Sequence, residues 1–185
     1  KIGSFTACSN VTGIKTPYHE LAKVMHEEGG LCFVDFAASA PYVEMNMHPA
    51  DPRMKLDAIF FSPHKFLGGP GASGVLIFNS QLYKNRVPDH PGGGTVDWTN
   101  PWGEYKYIDD IERREDGGTP GFLQAIRTAY AIRLKEQMGT DNIQKREEEL
   151  VELAFEKTKG ISGLHILADN CRNRIGAISF YMENI

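Results

Sequence analysis

Residues 58–69, AIFFSPHKFLGG, constrain this chain more than any other stretch. A short apolar run ends at Phe61 and meets Ser62, Pro63, His64 and Lys65, then Phe66, Leu67 and two glycines. Such a run, closed by proline and followed by glycine, reads as a buried strand. Lys65 then stands at the strand's carboxyl end, ahead of a glycine-rich loop. In an open parallel sheet that end is where ligands bind. A lysine held there, partly out of water, loses some of its preference for the charged form, and a neutral amine attacks an aldehyde. A lone lysine beside glycines is ordinarily a solvated surface charge. Chemistry at Lys65 therefore requires other residues that converge on it.

The rest of the chain supplies a sheet to hold that strand. Residues 2–8, IGSFTAC, read as a strand. Thr16-Pro17 opens a helix, with threonine as its cap and proline at the first helical position. Tyr18, Leu21, Ala22 and Met25 share one face, and Gly29-Gly30 ends the helix. LCFVD (31–35) is the next strand. Strand, helix and strand in so few residues make a right-handed crossover and a parallel pair. Residues 36–57 are irregular. GVLIF (74–78) follows the 58–61 strand after GGPGASG, too soon for a crossover helix, so an antiparallel neighbour is expected there.

Residues 85–118 read as long ordered loops, rich in glycine, proline and aromatics. A helix is expected over 121–138, with Leu123, Ile126, Tyr130, Leu134 and Met138 as its buried stripe. A second helix is expected over 141–158, with KREEE (145–149) as a solvated face. LHILA (164–168) and RIGAISFYM (174–182) read as strands. The expected organisation is an α/β large domain over 1–160, with a mostly parallel sheet and flanking helices, and the start of a small α+β domain over 161–185.

Composition removes several classes of function. A net charge of −4 over 185 residues gives no basic surface for nucleic acid or an anionic membrane. No apolar stretch is long enough to span a bilayer, and no signal peptide is visible. The three cysteines, Cys8, Cys32 and Cys171, are widely spaced and odd in number, which fits a reducing cytoplasm better than a disulfide framework. Histidines and cysteines show no metal-ligand spacing, so no metal is expected. The chain begins at Lys1 without methionine, as a piece of a longer protein would.

Three strands end in polar residues at their carboxyl ends: near Asn10, at Asp35, and at Ser62, His64 and Lys65. If the strands are parallel neighbours, these side chains share one crevice. An amine and a carboxylate in one crevice suit pyridoxal phosphate, whose ring nitrogen must stay protonated against a buried acid. Asp35 fits that task, and fits equally well a structural acid capping a loop. Ser62, His64 and Thr119 are donors suited to a phosphate. Thr119 lies in GGTP, where glycines let backbone amides approach an anion. Gly69, Gly71 and Gly74 also satisfy GxGxxG, so a nucleotide-binding domain using residues 68–74 is the competing expectation. It requires a helix after Gly74. No GxxxxGK[ST], HExxH or GxSxG occurs.

SNVTG (9–13), VDFA (34–37), FSPHKFLGGPGASGVL (61–76), GGGT (92–95) and GGTP (117–120) together resemble the class V aminotransferase family, which includes cysteine desulfurases and selenocysteine lyases. NRIGAISF (173–180) resembles the entry to that family's small domain. The resemblance implies a fold type I pyridoxal phosphate enzyme, transferase or lyase, acting on an amino acid as a homodimer. It implies that Lys65 carries the cofactor as a Schiff base and moves a proton at the substrate α-carbon. Asp35 matches the acid facing the pyridinium, and Asn10 the asparagine near the ring hydroxyl. Ser62 and His64 match phosphate- and cofactor-binding positions. Thr119 matches a threonine reaching the phosphate of the other subunit's cofactor. Ala38 stands where many desulfurases have glutamine. The sequence resembles only the middle of the family's length, so the substrate-carboxylate arginine and any nucleophilic cysteine are not in it, and the isolated piece is expected to be inactive.

Overall fold

The computed structural model describes residues 1–183. They form two compact units, residues 1–78 with residues 124 onward, and residues 79–123.

The first unit opens with β1 (Ile2–Thr6), α1 (Tyr18–Glu27), β2 (Leu31–Asp35), β3 (Ala58–Phe61) and β4 (Val75–Phe78). These four strands make one sheet in the order β1-β2-β3-β4. β1 pairs with β2 and β2 with β3 in parallel, while β4 is antiparallel to β3. The sheet is therefore the mostly parallel α/β arrangement expected. A strand, not a helix, follows Gly74, which removes the context that a GxGxxG nucleotide loop requires.

The core sits between the sheet and α1. Val34 and Phe36 are wholly buried beside Ala22, Ile59 and Phe61. The Tyr18 ring meets Phe36 edge-on at 5.1 Å. α1 begins at Tyr18, and no side chain caps it, so Thr16 is not the cap. Gly29 takes φ +65° and ends the helix, a conformation that an L side chain rarely adopts.

The second unit carries β5 (Val96–Thr99) and β6 (Tyr105–Tyr107), an antiparallel hairpin, followed by α2 (Ile111–Glu115). The expectation of loops throughout 85–118 misses these elements. Their strands are short and interrupted by a bulge between Val96 and Trp98, which erases the period-2 pattern.

α3 (Phe122–Met138) and α4 (Thr140–Thr158) follow, then β7 (Leu164–Ile166) and β8 (Phe180–Met182), an antiparallel pair. The expected buried stripe on α3 is wrong. Leu123 is 78% exposed, Ile126 51%, Tyr130 66% and Met138 43%, while Ala131 is buried. Apolar residues surround much of this helix, so periodicity does not choose a face. Contacts choose it instead. Arg127 donates to the Pro70 carbonyl at 2.5 Å, Thr128 to that of Ser73 at 3.2 Å, and Lys135 to those of Ala40 at 2.7 Å and Val43 at 2.5 Å. The expected strand over 174–182 is confined to its last three residues. Its earlier part is drawn away by Arg174, wholly buried and donating to the carbonyls of Ala168 and Cys171, and by a bridge between Arg174 and Ile14. No helix among the described residues is long and apolar enough to cross a membrane.

Candidate active site

The parallel register sets the site. Thr6, Asp35 and Phe60 stand side by side across β1, β2 and β3, so the chain leaves all three strands at the same edge. Asp35 is the last residue of β2. It is half-buried, and its Oδ1 accepts the Ala37 N–H at 2.7 Å.

β3 runs directly into a single helical turn, Pro63–Lys65, whose backbone closes through Lys65 N–H to Ser62 O at 3.1 Å. Pro63 and Phe66 are buried on either side of Lys65, and the Phe66 ring stacks on Phe61 at 5.9 Å. These anchors hold the turn while His64 and Lys65 themselves are exposed. The expectation that Lys65 is partly out of water is thus not met here, because none of the described residues covers it. Ser62 is half-buried. Gly69 closes the loop tightly, since a Cβ there would lie 1.9 Å from the Pro63 carbonyl oxygen.

Asn10 lies in the turn after β1, four residues beyond the strand's end rather than on it. The Ser9 hydroxyl accepts the N–H groups of Val11 and Thr12, at 3.2 and 3.1 Å. Gly13, at φ +72°, lets the turn press on residues 175–177: a Cβ would meet the Ala177 carbonyl oxygen at 2.5 Å. The Ile175 N–H in turn donates to Gly13 O at 2.9 Å.

A cavity of about 290 Å³ is lined by Asn10, Ala38, Tyr42, Lys65, Glu147 and the 175–177 segment. A second, of about 490 Å³, touches His64 and Lys65 together with Tyr42, Phe66 and Lys135. Lys65 and Asn10, 55 positions apart in sequence, therefore share one cavity. Asp35 and Ser62 line neither of the two. Burial pushes the Cys8 thiol above its ordinary value, the Asp35 charge adds to that rise and the Lys65 charge opposes it, so both charges lie within range of one buried thiol. Thr119 is exposed and belongs to the 79–123 unit.

Sequence reasoning missed Tyr42 and Glu147. Tyr42 sits in the aperiodic 36–57 segment. Glu147 was absorbed into a charge run that reads as solvated. Glu147 Oε2 accepts the Gly176 N–H at 2.8 Å, and burial with the nearby Glu147 charge pushes the Tyr42 phenol up. A phenol shifted that way stays a protonated donor at neutral pH.

This chain belongs to the class-V aminotransferase family, whose model matches residues 1–185. A probable cysteine desulfurase of Staphylococcus aureus is 32% identical over all 185 residues, which are 43% of its own length. The apo structure of a cysteine desulfurase from Thermococcus onnurineus superposes with a TM-score of 0.86 at 28% identity, covering 100% of this chain and 45% of that one. A C-DES variant with glycine covalently linked to its PLP cofactor shares the fold, with a TM-score of 0.78 at 18% identity over 99% of this chain and 47% of its own. The chain thus spans less than half the length of the relatives it matches.

Proposed function

We propose that this chain is the central part of a pyridoxal phosphate enzyme acting on an amino acid, with Lys65 as the residue that carries the cofactor. The observation that supports it most is the cavity shared by Lys65 and Asn10, in the segments that follow two strands of a parallel sheet, with the half-buried Asp35 ending the strand between those two. The donor set suits the group. An exposed amine is free to meet an aldehyde, Asn10 offers an amide, and Ser62 and His64 flank the amine with hydroxyl and imidazole groups.

Pyridoxal phosphate, when bound, supplies a ring that accepts electrons from the substrate. The chain's residues do the rest. Lys65 Nζ would hold the cofactor and would carry a proton to or from the substrate α-carbon. Asp35 would keep a proton on the ring nitrogen. Asn10 would hold the ring hydroxyl, and Ser62 and His64 the phosphate. Thr119 would reach the phosphate of a second subunit's cofactor in a homodimer. We further infer a cytoplasmic enzyme whose large domain covers 1–160 and whose small domain begins at 161. Transamination and sulfur or selenium removal, as by cysteine desulfurases and selenocysteine lyases, both fit. The 185-residue piece by itself is inferred to be inactive; the alternative reading is a folded fragment that lacks the cofactor.

The test is direct. Full-length protein mixed with pyridoxal phosphate acquires a visible absorbance band, and borohydride fixes the cofactor on Lys65, identified by peptide mass. Lys65→Ala abolishes both. A band that survives Lys65→Ala refutes the assignment.

A further inference from the structure

Lys135 is a cation with no place in the chemistry above, yet it touches both sides of the site. Its Nζ donates to the carbonyls of Ala40 at 2.7 Å and Val43 at 2.5 Å, 95 and 92 positions away. It also stands 5.7 Å from the centre of the Phe66 ring. Ala40 and Val43 belong to the loop that leaves Asp35 and carries Ala38 and Tyr42, both of which line the Lys65 cavity. Phe66 is the buried anchor next to Lys65. One ammonium thus binds the loop after β2 and packs on the turn after β3.

The loop needs such a tie. Residues 36–57 hold no α-helix; within 36–43 the carbonyls of Phe36 and Ser39 accept backbone N–H groups of the loop itself, while those of Ala40 and Val43 accept Lys135. Two charge-assisted hydrogen bonds to neighbouring carbonyls fix a loop more firmly than neutral ones. Burial pushes the Lys135 amine below its ordinary value, while Glu44 and Glu136 oppose that shift. A half-buried amine is retained at a cost in solvation that packing alone would not require.

We propose that Lys135 is a positioning residue that fixes loop 36–43 against the Lys65 turn, and so sets the spacing between the Asp35 side of the site and the cofactor lysine. The proposal rests on the function assigned to Lys65. It assigns Lys135 no contact with cofactor or substrate. Arg127 and Thr128 grip loop 68–74 from the same helix, so α3 braces both loops that flank the cavity.

The experiment uses the full-length protein and the Lys135→Met, Lys135→Gln and Lys135→Arg variants. Hydrogen exchange without cofactor is the first readout. Lys135→Met is expected to raise exchange at least tenfold in the amides of residues 37–43, with β1–β3 unchanged. The second is titration with pyridoxal phosphate, followed by borohydride fixation at Lys65. Lys135→Met is expected to weaken binding about tenfold, and Lys135→Arg, which keeps charge and donors, to recover most of it. Should Lys135→Met fail to fold, Lys135→Gln, which retains one donor group, is expected to show smaller changes in the same direction. Wild-type exchange in residues 37–43 and wild-type binding in Lys135→Met, or in Lys135→Gln if that is the variant that folds, overturn the proposal, as does exchange raised uniformly across the sheet. Wild-type protein that fixes no cofactor on Lys65 refutes the function instead, and the exchange pattern still judges the brace.

Discussion

His26 Nε2 lies 2.8 Å from Asp57 Oδ2, and the same oxygen accepts the Cys32 N–H at 2.9 Å. Asp57 is only 3% exposed and closes the loop into β3 just before Ala58. The other ring nitrogen of His26 is 2.7 Å from the Arg53 carbonyl, so one imidazole joins α1 to the segment that delivers the Lys65 strand.

Asp57→Ala leaves the Cys32 N–H buried without its side-chain acceptor and His26 Nε2 without its carboxylate partner. The expected cost is about 3 kcal/mol of folding stability. Asp57→Asn, which keeps an acceptor for Cys32, costs less. Urea midpoints of the two variants against wild type measure this, and equal midpoints for all three would remove the pair from any account of stability.

That pair was invisible in the sequence, whereas the sheet was not. AIFF, LCFVD and the Gly29-Gly30 stop are local signals, each sufficient for its element. The carboxyl-end rule then placed Asp35 and Lys65 at one edge before any coordinates. The signals failed where partners are remote. α3 carries apolar residues on several sides, and its buried face was decided by Arg127, Thr128 and Lys135 reaching distant carbonyls. Tyr42 lies beside Lys65 in both cavities, and Glu147 joins the smaller one where residues 173–177 fold back onto the Asn10 turn and Gly176 donates to it. No pattern within either segment announces that contact.

Asp35 carries a prediction of its own. Asp35→Asn keeps an acceptor for the Ala37 N–H and deletes only the charge. Turnover of an amino-acid substrate by the full-length protein is expected to fall about a hundredfold. Stability is expected to move by about 1 kcal/mol or less. Undiminished turnover would reduce Asp35 to a loop cap.

Thiol chemistry separates the three cysteines. Cys8 and Cys32 are buried, and burial pushes the Cys32 thiol up to about 11, with Asp57 adding to the rise. The thiolate is the reactive form, so both are silent toward a disulfide reagent at pH 8, while the half-buried Cys171 reacts. Urea brings out the other two. The sign for stability follows. A thiol of raised pKa keeps its proton in the folded state after the unfolded state has lost it, so stability declines as pH rises from about 9 to about 11. Cys32→Ala lessens that decline, with the raised Cys8 thiol and Tyr42 phenol keeping their own share of it, whatever the substitution costs in packing at neutral pH.

Gly69 is the residue on which the Lys65 turn depends sterically. Its φ is not in the left-handed region, so alanine meets no backbone penalty there. The obstacle is space: the new Cβ would lie 1.9 Å from Pro63 O and 2.9 Å from Phe66 O, both backbone atoms that have no rotamer to change. Gly69→Ala must therefore push the Pro63–Lys65 turn away from the loop. The expected loss is about 3 kcal/mol, at the upper end for an overpacked site. Gly93→Ala, with nothing within 4 Å of the added carbon and no positive φ, is the matched control and is expected to be neutral or slightly stabilising. Chemical denaturation gives both values. In the full-length protein, borohydride fixation on Lys65 should fall in Gly69→Ala more than in any variant of equal stability loss made elsewhere in the sheet. Equal losses would mean that the turn tolerates the shift and that Lys65 does not need the geometry Gly69 permits.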